Sequence, residues 1–393
     1  MNLSKMQNYS RMNDVQSPVI PIIADMIASH PGTISLGQGV VYYGPPAEAY
    51  TALATIQEDD SLHIYGHTAG LKSLRQQIAD KLRLDNQIDT QQGYDVIVTA
   101  GSNMGFLNAI LATTRPGDEV ILSVPYYFNH EMAIRMIGCE PVLVNTSDDY
   151  QLCIDAIENA ITHRTRAIVT ISPNNPTGVV YNRTMLEQIN GLCDECGVYH
   201  ISDEAYEYFT YGQAQHFSPG SLENAAEHTI SLFSLSKAYG LANWRIGYMV
   251  IPKHLQTAVY KIQDTNVICP SIPSQLAASG ALAAGRDYCD KKRAVISENR
   301  NIMLPELEEI GDICTVSDNQ GAFYLLLKVN TELNDMSIIK HLIKDYRVAA
   351  LPGSTFGMPP SCYLRVAYGA LNRENATEGI QRLKQGLSEI VRH

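Results

Sequence analysis

The sequence predicts an α/β protein whose large lobe is built on a mostly parallel seven-stranded sheet, accompanied by a smaller α/β lobe. Three observations carry this. Between Tyr94 and Pro252 the chain repeats a short β-branched apolar run, a turn and usually a helix-length segment, the pattern of strands buried on both faces. A length of 393 residues exceeds what one small core requires and fits two lobes. After Pro252 the pattern turns helical and then mixes strand-like with helical stretches.

The elements follow in chain order. Residues 1–30 mix polar residues with Val19, Ile20, Ile22, Ile23, Met26 and Ile27, which predicts an arm ending in a helix. In the string from Ser35 to Val40 two glycines bracket Gln38, but Tyr42 stands where a dinucleotide fingerprint needs its third glycine, so a Rossmann loop is rejected. A helix is expected over 71–84, then strands at 96–99, 120–123, 142–144, 167–171, 198–202, 230–233 and 246–251. About a dozen residues separate the last two runs, too few for a helical crossover, so the final strand is expected antiparallel to its neighbour. Helical stretches are read at 106–112, 185–196, 254–264 and 274–304, the last interrupted by Pro305. The remainder gives strands at 322–329, 348–351 and 363–368 and helices at 337–345 and 374–391. The lobes are drawn as 1–45 (arm and part of the small domain), 46–285 (large) and 286–393 (small).

Composition narrows the function classes. A net charge of −12, from 29 basic and 41 acidic residues without a basic block, leaves no electrostatic footprint for nucleic acid or an anionic membrane. No run approaches the roughly 18 apolar residues of a spanning helix, and Asn2, Lys5, Asn8, Arg11, Asn13 and Asp14 replace the apolar core of a signal peptide. A cytoplasmic protein is expected. Of eight cysteines only Cys193 and Cys196 form a Cys-x-x-Cys pair; with no second pair nearby and a helical pattern around it, no metal is assigned.

The chemistry-bearing residues gather at the carboxyl ends of the predicted strands, where open α/β sheets bind ligands. Lys237 follows the run 230–233 and is flanked by Ser236, Ala238 and Gly240. A lysine captures carbonyls when desolvation or a nearby cation lowers its pKa, and Arg245 is such a cation. The same arginine can hold a phosphate, with Ser234 offering a hydroxyl. Gly101-Ser102-Asn103 opens a helix after a strand, which is either an anion site or an ordinary N-cap. Tyr127 after Pro125, Asn175 in the turn from Ser172 to Gly178, and Asp203 at a strand end complete the large-lobe set. A carboxylate buried as Asp203 would be needs a partner unless it merely caps a helix. Arg365, between Leu364 and Val366, is either an edge-strand surface residue or a bidentate carboxylate ligand facing a cleft.

The segment from Ser234 to Gly247, Ser-Leu-Ser-Lys-Ala-Tyr-Gly-Leu-Ala-Asn-Trp-Arg-Ile-Gly, resembles the lysine signature of the class I and II aminotransferases, the fold-type I enzymes dependent on pyridoxal 5'-phosphate (PLP). The resemblance runs from about Leu36 onward and keeps the order of the family's motifs. It implies that Lys237 holds PLP as a Schiff base and moves the α-proton, and that Asp203 pairs with the pyridine nitrogen. It also implies that Asn175 and Tyr206 reach the phenolate oxygen, and that Tyr127 stacks on the ring. Gly101, Ser102, Asn103, Ser234, Ser236 and Arg245 become cofactor contacts, most of them around the phosphate. Tyr65 would reach the phosphate of a neighbouring subunit, which implies a homodimer with shared sites. Gly39, Asn175 and Arg365 would bind the substrate. The implied activity moves the amino group of an L-amino acid to a 2-oxo acid, with 2-oxoglutarate the expected acceptor, by ping-pong kinetics. A C–S lyase or amino-acid decarboxylase is the alternative on this fold. A PLP-sensing transcription regulator is set aside, because residues 1–30 are too few and insufficiently basic for a DNA-binding module. Two departures stand out: Val40-Val41-Tyr42 follows Gly39, and Asn319 replaces a frequent proline. The string from Leu36 to Gly39 is similar to that of kynurenine and glutamine transaminases, so Tyr42 and Tyr43 are expected to line an aromatic pocket.

Overall fold

The apolar runs become strands because their β-branched side chains are buried on both faces of one sheet. The structure, a computed structural model, describes residues 10–392; Asn2, Lys5 and Asn8 lie outside the described residues. A two-residue strand β1 (Ile34–Ser35) precedes the seven that build the large sheet: β2 (Tyr94–Thr99), β3 (Glu119–Val124), β4 (Glu140–Asn145), β5 (Thr165–Ile171), β6 (Tyr199–Asp203), β7 (Thr229–Ser234) and β8 (Gly247–Pro252). Their spatial order is β2-β8-β7-β6-β5-β3-β4. As the short connection predicts, β8 is antiparallel to β7, and it is antiparallel to β2 on its other side. The remaining pairs are parallel. The carboxyl ends of β2, β3, β5, β6 and β7 therefore share one edge with the amino end of β8, which brings Arg245 to the residues that follow the parallel strands.

The smaller sheet has the order β12-β13-β10-β9, with β9 (Cys314–Val316), β10 (Tyr324–Val329), β12 (Leu351–Pro352) and β13 (Cys362–Ala367) all antiparallel. Between them, β11 (Val348–Ala349) pairs in parallel with β1. The single strand expected over 348–351 is thus two. The chain changes partner at Ala350, and Pro352, which has no N–H to donate, sits at the sheet's edge.

Other boundaries shift for equally local reasons. The long helix runs Ile272–Glu308 and continues through Pro305; its break falls at Gly285, with φ 70° and ψ −172°. Proline removes one N–H near the last turn, whereas glycine alone adopts that backbone without strain. The helix after Tyr65 is Lys72–Lys81, which widens into a π turn over Leu82–Asn86. The arm forms helix Val19–Ala28, burying Val19 and Ile23. Cys193 is buried and Cys196 exposed on helix Arg183–Cys196, and both are free thiols. Among the described residues no helix is long and apolar enough to cross a membrane.

One contact between the long helix and helix Ala47–Ala54 tests this packing. A Cβ added at Gly280 would lie 2.1 Å from the Glu48 carbonyl oxygen and 2.7 Å from the Ala49 Cα. Both are backbone atoms and cannot swing away. Gly280→Ala is expected to cost about 1–3 kcal/mol through overpacking. Urea unfolding should show a lower midpoint with an unchanged slope.

Candidate active site

The shared edge of the large sheet and the inner face of the small sheet enclose a cavity of about 540 Å³, a size suited to a cofactor with a small substrate. Of the residues singled out from the sequence, Gly39, Ser102, Asn103, Tyr127, Asn175 and Asp203 line it. So do Tyr206, Ser234, Ser236, Lys237, Arg245 and Arg365. Gly101 lies immediately behind, as the N-cap of helix Ser102–Thr113. Tyr65 is elsewhere: it is 78% exposed and faces a separate surface depression beside Cys269 and Pro270.

Lys237 is not carried by the strand itself but by one helical turn, Leu235–Ala238, directly after β7. Ser234 caps that turn by accepting a hydrogen bond from the Ser236 N–H at 3.2 Å. The Tyr43 hydroxyl braces it from beneath, donating to the Lys237 carbonyl at 2.8 Å. Burial pushes the Lys237 amine down to about 8, with the Arg365 and then the Arg245 guanidinium adding to the shift and Asp203 opposing it. Arg365, at the far end of the chain, thus outweighs the Arg245 cation expected from the sequence. Nζ donates to the Gly39 carbonyl, so this glycine presents its backbone to the lysine.

At the opposite wall Asp203 ends β6. Its Oδ1 accepts from the Ala205 N–H at 3.0 Å, and its Oδ2 lies 3.1 Å from His130 Nε2. Tyr206 follows in a turn, because the chain leaves β6 through consecutive turns. Its hydroxyl meets the Tyr324 hydroxyl at 2.7 Å and accepts from Asn175 Nδ2 at 3.5 Å. Arg365 is 2% exposed. It donates to Asn175 Oδ1 at 3.0 Å and to the Gly37 carbonyl at 2.7 Å, and its guanidinium lies over the Tyr324 ring at 4.5 Å. The surface-arginine reading is therefore wrong. Burial lowers its pKa. Its Nε has no hydrogen-bond partner, and no carboxylate among the described residues pairs with it.

The cationic wall around Arg245 is equally built. Gly101 has φ 82°, and a Cβ there would lie 2.5 Å from an Arg245 terminal nitrogen. Only glycine lets the guanidinium lie against the start of the helix, where free N–H groups and the helix dipole favour negative charge. Tyr127 precedes helix Phe128–Met136, and its hydroxyl accepts from Asn129 Nδ2 at 2.8 Å.

Sequence reasoning missed His130 and Tyr324. His130 stacks on Phe106 with ring centroids 3.9 Å apart and backs Asp203. Tyr324 opens β10 beside Arg365. The only available signal was their neighbourhood, three residues after Tyr127 and at the end of the Gly321-Ala322-Phe323-Tyr324 string. Conversely, the aromatic pocket expected from Tyr42 and Tyr43 is absent from this cavity. Tyr43 is buried against the lysine turn, and Tyr42 packs edge-on against it outside, near the Lys292 ammonium. Asn319 takes up the role of its missing proline differently: it donates to the Tyr324 carbonyl at 2.6 Å and accepts from Arg300 Nε at 2.7 Å, pinning the turn before β10.

The donor set fits PLP: a desolvated amine for a carbonyl, a cationic helix start for a phosphate, a buried carboxylate for a ring nitrogen, and an orphaned guanidinium nitrogen for a substrate carboxylate. Comparison with known proteins agrees. Residues 31–383 match the sequence family described as aminotransferase class I and II. An aromatic aminotransferase of Arabidopsis thaliana is 32% identical over 385 residues, covering 96% of this chain and 95% of that protein. A probable aspartate/prephenate aminotransferase of Aquifex aeolicus is 34% identical over 338 residues, covering 83% and 84%. Among solved structures, Pyrococcus protein-A1 superposes with a TM-score of 0.91 at 31% identity, covering 97% of this chain and 98% of that one. An aspartate aminotransferase of Thermus thermophilus bound to maleate gives 0.88 at 28% identity, covering 96% and 98%. This chain belongs to the class I and II aminotransferases, PLP-dependent transaminases.

Proposed function

We propose that the cavity moves the amino group of an L-amino acid to a 2-oxo acid in two successive half-reactions, with ping-pong kinetics. The observation that carries this is the pairing of a depressed Lys237 amine with a buried, carboxylate-free Arg365 in one cavity. PLP, when bound, supplies the electron sink for the carbanion. The chain's own residues do the rest. Lys237 would hold the cofactor through its amine and, when that amine is free, would take the substrate's α-proton and give it up again; an amine pushed down to about 8 is suited to both directions. Arg365 clamps the α-carboxylate with its unused donors, kept in place by Asn175 and Gly37. Asp203 takes the pyridine nitrogen, Asn175 and Tyr206 the phenolate oxygen, and Tyr127 the ring face. Arg245, Ser234, Ser236 and the residues 101–103 take the phosphate. Tyr65 is assigned to the phosphate site of a second copy, which makes the working unit a homodimer.

By resemblance 2-oxoglutarate is the first acceptor to try. The test is an absorbance titration of the PLP-loaded protein with single amino acids, followed by product analysis. Conversion of the visible band to the aminated cofactor's spectrum, with the matching 2-oxo acid released, is expected. Release of ammonia with pyruvate, or of carbon dioxide, would instead make the protein a lyase or a decarboxylase.

A further inference from the structure

The turn from Asn319 to Ala322 is tied to more of the molecule than a connection between two strands requires. Asn319 is 2% exposed, and its amide uses both donors and both acceptor positions. Nδ2 donates to the Tyr324 carbonyl at 2.6 Å and to the Gly321 carbonyl at 3.1 Å. Oδ1 accepts from Arg300 Nε on the long helix at 2.7 Å and from the Tyr368 hydroxyl at 2.8 Å. The next two N–H groups, of Gln320 and Gly321, donate to the Gly178 carbonyl at 3.0 and 2.7 Å. A Cβ on Gly178 would lie 2.0 Å from Asn319 Nδ2, so the fit leaves no room for a side chain there. Ala322 has φ 53°, a left-handed conformation that strains an alanine. Its N–H on the Phe209 carbonyl at 2.8 Å and the Tyr211 hydroxyl on its own carbonyl at 2.6 Å keep it there. A turn leading into the smaller sheet is thereby fastened to two segments that follow strands of the large one, those carrying Asn175 and Tyr206.

Tyr324 is what this fastening delivers. It is 1% exposed and meets the site twice: its ring lies under the Arg365 guanidinium at 4.5 Å, and its hydroxyl meets the Tyr206 hydroxyl at 2.7 Å. A tyrosine hydroxyl has two lone pairs and one proton. With Asn175 Nδ2 on one lone pair of Tyr206 and the Tyr324 hydroxyl on the other, the Tyr206 proton is left for the cofactor's ring oxygen. We propose, resting on the transaminase reading, that Asn319 is a positioning residue for that reaction: by holding the Tyr324 backbone it sets both the Tyr206 hydroxyl and the Arg365 guanidinium.

Asn319→Asp keeps the shape and the acceptor that faces Arg300, but puts an oxygen where the donor faces two carbonyls. In the PLP-loaded variant two readouts besides activity are expected to move together. The pH midpoint at which the visible band changes should rise by about half a unit or more, because a ring oxygen that loses a hydrogen-bond donor holds a proton more tightly. The propanoate concentration that half-saturates the site, read from the same band, should rise about threefold or more as Arg365 loosens. A fall of about tenfold in kcat/KM should accompany them. Tyr324→Phe separates the two paths: it removes the hydroxyl and keeps the ring, so the pH midpoint should shift while propanoate binding holds within about twofold. Tyr368→Phe is the structural control, since it removes a buried bond to Asn319 without touching its donors. It should lower the unfolding midpoint and leave both readouts in place. Asn319→Ser, whose hydroxyl stops one bond short of the amide nitrogen, serves if Asn319→Asp does not fold, with the same shifts expected. If neither readout moves, if Tyr324→Phe leaves the pH midpoint unchanged, or if Tyr368→Phe moves both readouts as far, the proposal is overturned, and conversion of amino acids by the wild type leaves the transaminase reading standing. A loaded wild-type protein that no amino acid converts overturns that reading and this role with it.

Discussion

Lys237→Ala is expected to lower turnover by at least about 10⁴-fold, the largest effect of any single substitution in this chain. The residue is placed at both the covalent and the proton-transfer steps, and among the described residues no other amine lines the cavity. Loss of activity alone would also follow from unfolding, so the stability of the cofactor-free protein is the second readout. The wild-type amine titrates near 8 instead of the ordinary 10.5, because it is buried and faces Arg365 and Arg245. Below pH 8 both folded and unfolded chains hold the protonated amine, and the folded state bears the full cost of desolvating it. Between about pH 8 and 10.5 the folded chain has released that proton while the unfolded chain still binds it, and the cost fades; above 10.5 it is gone. Removing the amine should therefore raise the thermal midpoint of the cofactor-free protein at neutral pH, an advantage of at most about 3 kcal/mol that disappears by about pH 10.5. Strain held for function and released by removing the functional group is the signature sought. Retained turnover, or a variant less stable than wild type at pH 7, would sink the assignment.

How much of this was legible beforehand depended on whether a feature is local. Asp203, Asn175 and Gly101 each follow an apolar run by a few residues, so placing the strands also placed them on one edge. The antiparallel β8 was readable because connection length alone limits the crossover. Contacts between distant segments were not readable. His130 reaches Asp203 only because helix Phe128–Met136 packs back over the sheet, and nothing in its flanking residues marks it out from a structural histidine. Tyr324 matters through Arg365, which β13 brings alongside β10. The larger influence of Arg365 on Lys237 was hidden for the same reason. Tyr42 and Tyr43 show the opposite failure: an aromatic pair beside a site glycine looked like a pocket wall, but the backbone after Val40 turns both rings toward the lysine turn and the long helix.

Asp203→Asn should cost about 10³-fold in the half-reaction rate while leaving the fold intact. Asparagine keeps the shape, and its Oδ1 can still accept from the Ala205 N–H. What disappears is the charge. Asp203 is 5% exposed, and its other oxygen faces His130 Nε2, which is 3.1 Å away. A protonated ring nitrogen placed against this wall has no other carboxylate among the described residues that line the cavity. Taking away one partner of a buried ion pair costs about 3–5 kcal/mol, and if that cost falls on the cationic ring it is paid mainly where charge builds up in the transition state. Substrate binding should change far less, because Arg365 and Asn175 are untouched, so the loss is expected in kcat rather than in KM. Loading the variant with a PLP analogue methylated on the ring nitrogen, which is positive without a proton, should restore much of the rate. An Asp203→Asn protein that keeps full activity, or one whose deficit the methylated analogue leaves unchanged, would show that this carboxylate supports the site only through the backbone turn and His130.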